Sequence, residues 1–304
     1  MQYIGFDKKC SLLVQEAHLT KNSLLSGFDN LLKANFSQDK EGFFYTSFFN
    51  LSIGIERILK LAVVTHYMLT SNYQTPTIKQ LKRDFGHDIG TLYIECLKLR
   101  PLYLHPNASN PARTANDEAL IDFITEYGVG SRYFNLNEVC EAKQDRSPLY
   151  KWLDIARAIY EDHTPHQVRQ KSAMSLMYKM DREGPKNGFT SHLDENGHPM
   201  MVFDILHRQH VVQKSAPLVI WRLVKIIQPI YSLLTAMAHK ATEYEVQNNI
   251  KSMVIPHYED FFTSFFLRKM TSKEEKDGWK FSTHKKAPQG CFFIPDTSHR
   301  YTWH

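Results

Sequence analysis

Between positions 41 and 69 the chain carries an apolar stripe that constrains its fold class more than any other feature. Phe44, Phe48, Leu51, Ile55, Ile58, Ala62 and Leu69 recur at steps of three, four or seven. Those steps return to one side of a helix with 3.6 residues per turn. No proline interrupts the span, so Glu41 to Leu69 reads as one long helix with a buried face. A face of that length must be covered, and the flanking segments have helical periods to cover it. Ser11 to Asn35 offers Leu12, Leu13, Ala17, Leu24, Leu25, Phe28, Leu31 and Leu32, although Gly27 weakens its middle. Phe85, Ile89, Leu92, Tyr93, Cys96 and Leu97 outline another face. The expected class is mainly α: a multi-helix bundle with a small irregular or β-containing C-terminal part.

Boundary signals divide the rest. Thr75-Pro76, Ser147-Pro148 and Thr164-Pro165 each pair a capping residue with proline at a first helical position. Asp117 and Glu118 suit the first turn of a helix that begins near Thr114. Arg100 to Arg113, with Pro101, Pro106 and Pro111, reads as a loop, and Gly128 to Asn137 as a turn-rich stretch. Residues 181–200 are polar and form an exposed excursion, with Asn196-Gly197 suited to a hairpin turn. A long helix follows from Ala216 to Glu245, and an aromatic one from Tyr258 to Phe266. Beyond it the helical period fades, and WKFSTHKK and GCFFIP read as short strands. Residues 1–180 are expected to form one helical domain. Residues 181–304 form a helical extension, packed either separately or into the same domain.

Several function classes are excluded. Cys10, Cys96, Cys140 and Cys291 are far apart with no CxxC, against zinc ribbons and thioredoxin-like sites. Phosphate-cradling glycine loops, the hydrolase G-x-S-x-G elbow and HExxH are all missing. His163/His166 and His207/His210 are three apart, but nothing at fitting spacing completes a site, so no metal and no cofactor are expected. Asp7, Lys8 and Lys9 interrupt any apolar leader, pointing to a cytoplasmic location. Pro217 to Met237 is long enough to span a bilayer but contains Arg222 and Lys225. Each such charge costs about 2.5 kcal/mol or more at mid-bilayer, so a buried core helix is expected and no membrane partner. The net charge is +5, and all of the excess falls in residues 151–304. That permits contact with nucleic acid but does not demand it, and a solvated surface with slightly more lysine than glutamate is the preferred account.

Three polar strings interrupt the apolar pattern. The first is S-x-G-x-E-R-x-L-K, with Ser52, Gly54, Glu56, Arg57, Leu59 and Lys60. Glu56 and Lys60 are spaced to pair, and Ser52, Glu56 and Lys60 form a polar row beside the buried stripe. The second is R-D-F-G-H-D, from Arg83 to Asp88, where His87 could exchange protons near neutral pH or merely adjoin a capping aspartate. The third is S-R-Y-F-N, from Ser131 to Asn135, whose arginine and aromatics suit a phosphate-and-base surface. Equally, Tyr133 and Phe134 anchor the turn while Arg132 pairs with a carboxylate such as Glu56.

This succession over residues 41–165 resembles the HEPN-like helical proteins of bacterial toxin and phage-defence systems. The resemblance implies a metal-independent endoribonuclease, a toxin or antiviral defence effector that binds and cleaves RNA as a homodimer or with a protein partner. Its R-x4–6-H signature has a histidine that promotes attack by the RNA 2′-hydroxyl and an arginine that stabilises charge at phosphorus. Arg157 and His163 have five residues between them and conform to that spacing; Arg83 and His87 have three. The implied catalytic candidates are Arg57, His87, Arg132, Arg157 and His163, with Arg83, Tyr133 and Lys60 as substrate contacts. The rival expectation keeps the fold and drops the chemistry, as a helical scaffold or sensor subunit of a defence or regulatory complex.

Overall fold

In a computed structural model, residues 5–36, 40–105, 110, 112–141, 146–182 and 188–266 of the chain are described. The stripe of the long helix α2 (Gly42–Thr70) packs along α1 (Lys8–Lys33) as an antiparallel pair. Two glycines set how closely they approach. A Cβ on Gly27 would lie 2.7 Å from Leu51 Cγ, and one on Gly54 would lie 2.8 Å from Leu24 Cγ. Each glycine thus receives the other helix's leucine, and Ser47 Oγ donates to the Gly27 carbonyl at 2.7 Å across the same contact. Gly27 costs helix propensity, as expected, and returns it as close packing.

Next come α3 (Ile78–Phe85), α4 (Ile89–Tyr103), α5 (Ala115–Val129), a 3-10 turn (Ser131–Tyr133) and α6 (Phe134–Glu141). They are followed by α7 (Pro148–His163), α8 (His166–Arg182) and α9 (Val202–Gln247). Phe48 gathers the aromatic centre of the bundle, with ring centroids 4.8 Å from Phe123, 4.9 Å from Trp152 and 5.4 Å from Tyr127. On α9, Val219, Leu223, Leu233, Leu234 and Met237 are fully buried and close the core from the other side. Buried hydroxyls tie the helices together. Tyr93 donates to the Ile226 carbonyl and Tyr73 to that of Ala241, while the Thr65 and Tyr258 hydroxyls bond at 2.9 Å. Cys96 is wholly buried, as a small apolar residue would be.

The sheet content among the described residues is slight. Strands β2 (Phe189–Leu193) and β3 (Pro199–Met201) form the hairpin expected at Asn196-Gly197, with Gly197 at φ +80° and Asp194 accepting the Asn196 and His198 amides. A second pairing is parallel: β1 (Gly5–Phe6) lies beside β4 (Ser252–Met253), just before α10 (Glu259–Phe266).

Three boundaries differ from expectation. Helix α4 continues through Pro101, which sits in its last turn and forfeits one backbone hydrogen bond there. The turn-rich stretch after Gly128 is instead a 3-10 turn and α6. Helix α9 begins at Val202, well before Ala216, and holds both Pro217 and Pro229 inside. Burial of Ile226, Ile227 and Ile230 around Pro229 offsets a local cost of about 3 kcal/mol. By length and composition α9 could cross a membrane, and half of its apolar window is buried within the bundle. The sequences WKFSTHKK and GCFFIP, with Cys291, lie outside the described residues.

Candidate functional site

Helix α2 carries a polar flank beside its buried stripe, and the turn between α3 and α4 comes down onto it. Gly86, at φ +45°, reverses the chain, and the Asp88 carboxylate accepts the Thr91 amide at 2.9 Å to cap α4. That local geometry leaves His87 on the outer corner. Its Nδ1 meets Glu56 Oε1 at 2.9 Å, and Lys60 Nζ pairs with the same oxygen from one turn along α2. Glu56 and Lys60 are largely covered, while the His87 side chain is 68% exposed. An ionised carboxylate only accepts hydrogen bonds, so Nδ1 is the nitrogen that donates. In a neutral ring Nε2 then carries the lone pair, on an exposed imidazole oriented from behind by a carboxylate that Lys60 also pairs with. That arrangement can take or deliver a proton.

The third string borders this corner. A Cβ on Gly128, in the last turn of α5, would touch Ser52 Cβ at 3.6 Å and Ile89 Cδ1 at 3.7 Å. The flank of α2, the start of α4 and the end of α5 therefore abut, and the turn Ser131–Tyr133 follows directly, with Tyr133 exposed. Arg132 lies in that turn and Arg83 in α3, but both side chains fall outside the description. Ser52 takes no part, since its hydroxyl is buried and donates to the Phe49 carbonyl. Gly54 is a packing residue against Leu24. Arg57 does not join His87. One helical step past Glu56 it faces α1, where its guanidinium pairs with Glu16 at 2.6 Å.

Arg157 and His163 also fail to meet. Six residues apart on α7, they point about 120° from one another. Arg157 adds its charge to the neighbourhood of His207, whose pKa burial already lowers. His163 instead meets Arg222, a buried cation in the middle of α9. Arg222 donates from Nε to His163 Nε2 at 3.1 Å, from Nη1 to Thr114 Oγ1 and Asp117 Oδ1 at 2.8 and 3.0 Å, and from Nη2 to Asp162 Oδ2 at 2.6 Å. Thr114 and Asp117 are the two halves of the capping box that begins α5. One guanidinium thus fastens the start of α5 and the end of α7 to α9.

The electrostatics follow from these contacts. Burial lowers the His163 pKa, and the adjacent Arg222 lowers it further, so the ring stays neutral and accepts. Burial raises the Asp117 carboxyl, but the Thr114 amide and hydroxyl and Arg222 outweigh it and hold the carboxyl below its ordinary value. Sequence reasoning missed this hub. Its one signal was a lone arginine inside an apolar run, which has to find partners when the run is buried. Among the described residues, no three histidine, cysteine or acidic side chains group where they could hold a metal ion.

Compared with family models, with curated proteins and with solved structures, the chain has no match.

Proposed function

We propose that the chain is a metal-independent RNA-cleaving protein of the HEPN-like kind, acting in the cytoplasm as a toxin or antiviral defence effector, with His87 as its proton-transfer group. The observation that carries this reading is the Glu56–His87 hydrogen bond, which presents an oriented, accessible imidazole beside a lysine. In the reaction, His87 Nε2 takes the proton of an RNA 2′-hydroxyl while that oxygen attacks the adjacent phosphorus. The bond from phosphorus to the 5′-oxygen breaks, the leaving oxygen acquires a proton, and a 2′,3′-cyclic phosphate remains. Positive charge is needed where the phosphorane forms, and Lys60 shares the Glu56 oxygen with the imidazole. The resemblance assigns the same work to arginine, with Arg132 and Arg83 in the elements that border the corner. It also implies a homodimer.

The test is incubation of purified protein with tRNA or total RNA in EDTA, beside His87→Ala, Glu56→Gln and His163→Ala. We expect products ending in cyclic phosphate, a loss of roughly 10²–10⁴ in rate for His87→Ala, and a smaller loss for Glu56→Gln. His163→Ala, which alters the hub, should retain the chemistry. No cleavage, or cleavage indifferent to His87→Ala, defeats the proposal.

A second reading, a scaffold or sensor subunit without chemistry, draws on a specific observation. Arg57 is paired with Glu16, and Arg157 and His163 are apart, so the spacing-correct pair makes no site. A stoichiometric protein partner in a pull-down from the host, from a protein that leaves RNA intact, would favour it.

A further inference from the structure

Helix α8 is bound to the bundle on one side only. Its inward row is Arg169, Ala173, Leu176 and Met180, at steps of four, three and four, and Arg169 is paired with Glu161. The opposite row is Lys171, Met174, Tyr178 and Arg182, at steps of three, four and four. Every member of that outer row is exposed, Tyr178 to 69%. Val168 and Met177 are exposed on its two shoulders. One helix therefore turns four large apolar side chains to solvent, which is unusual unless something covers them.

The charges of this helix are unusual too. It carries Arg169, Lys171, Lys179 and Arg182 against the single acid Asp181. Elsewhere Lys33, Lys98 and Lys240 each hold a carboxylate one turn away on their own helix. Among the described residues, Lys171, Lys179 and Arg182 make no ion pair. The outer row is thus an aromatic ring and a thioether set between two unneutralised cations, spread over about 16 Å of helix.

We infer that the outer face of α8 is a docking surface for single-stranded RNA, with Lys171 and Arg182 on phosphates and Tyr178 stacked on a base. The complementarity of those cations to a polyanion names the occupant, and alternating cations with an aromatic face is how single strands are held without sequence readout. A membrane-surface helix is ordered differently, since it keeps its cations off a continuous apolar face. Here Ala173, Leu176 and Met180 lie on the inward side, and the cations share the outer row with Met174 and Tyr178. The choice of RNA rests on the proposed activity, whereas the surface itself does not involve His87.

The experiment measures binding apart from cleavage. A short fluorescein-labelled 2′-O-methyl oligouridylate, which lacks the attacking hydroxyl, is titrated with full-length protein at several salt concentrations and followed by anisotropy. Lys171→Glu/Arg182→Glu should weaken binding at least about tenfold at low salt and flatten the salt slope by roughly 0.7 per lost phosphate contact. Tyr178→Ala should cost about 5- to 100-fold with the salt slope unchanged, and Tyr178→Phe should restore binding. Circular dichroism confirms that each variant is folded. Affinities within twofold of the unaltered protein for both the charge-reversed and Tyr178→Ala variants overturn the inference. So does capture by vesicles of phosphatidylcholine and phosphatidylserine with no affinity for the oligonucleotide. If binding behaves as expected but natural RNA stays intact, the docking surface stands and the cleavage reading fails. If RNA is cleaved equally by the α8 variants and their binding is unchanged, the reverse holds.

Discussion

His87 owes its orientation to one carboxylate, and Arg222 owes its burial to several partners; the two residues respond differently to substitution. At the corner on α2, Glu56→Gln keeps an oxygen that can accept from the ring, and the flexible Lys60 can extend to water, so the fold should tolerate the change while proton transfer suffers. At the hub, Arg222→Met should remove one buried cation and leave the largely covered Asp117 without its charged partner, while the half-exposed Asp162 turns to water. We expect a loss of about 3 kcal/mol in urea unfolding, because breaking a buried pair strands the Asp117 carboxylate. A loss below about 1 kcal/mol would show that water replaces the guanidinium freely. At this scale the sequence was informative about residue types and weak on pairings. Glu56, Lys60 and His87 stood out as polar interruptions, but their meeting depends on how α4 docks on α2. The Arg157/His163 pair conformed in spacing and fails in space, since six helical positions turn the chain to a different face.

Pairs of helices show the reverse balance between local preference and packing. The stripe of α2 was legible because burial and helical period agree there. The Asn196-Gly197 hairpin was legible because its turn needs a positive φ that glycine supplies. Pro101 misled because a proline in the last turn of a helix forfeits only one backbone hydrogen bond, too little to stop the helix earlier. The crossing of α1 and α2 yields a sharp prediction. Gly54→Ala adds a methyl where Leu24 already stands at 2.8 Å, with its backbone nitrogen at 3.1 Å. The improved helix propensity, worth about 1 kcal/mol, should be outweighed by overpacking, for a net loss of about 1–2 kcal/mol. Differential scanning calorimetry should show a melting temperature lower by a few degrees. A rise would mean that Leu24 moves aside without cost.

At the scale of the molecule, four histidines among the described residues resist protonation. Burial is the chief cause that lowers the pKa of His66, His163, His207 and His210. In the unfolded chain each takes up a proton near its ordinary value of about 6.5, while the folded chain resists. The unfolded state therefore binds more protons just below that pH, and stability rises with pH through the window. Denaturation midpoints should fall between pH 7.5 and 5.5, and a flat profile would contradict the burial of these rings. The low carboxyl of Asp117 acts in a separate, more acidic range: its contribution is present above the unfolded value near 4 and is lost as the pH drops through the folded one.

The parallel pairing of Gly5 and Phe6 with Ser252 and Met253 has a consequence for how the chain is made. A ribosome adds roughly 5–20 residues per second, so the first strand emerges many seconds before its partner exists. The α1–α2 hairpin can form early from neighbouring sequence, while β1 waits unpaired until Ser252 and Met253 have been made. Its closure is a late event, and a nascent chain halted before position 252 should leave that segment open to protease although its first two helices are already protected.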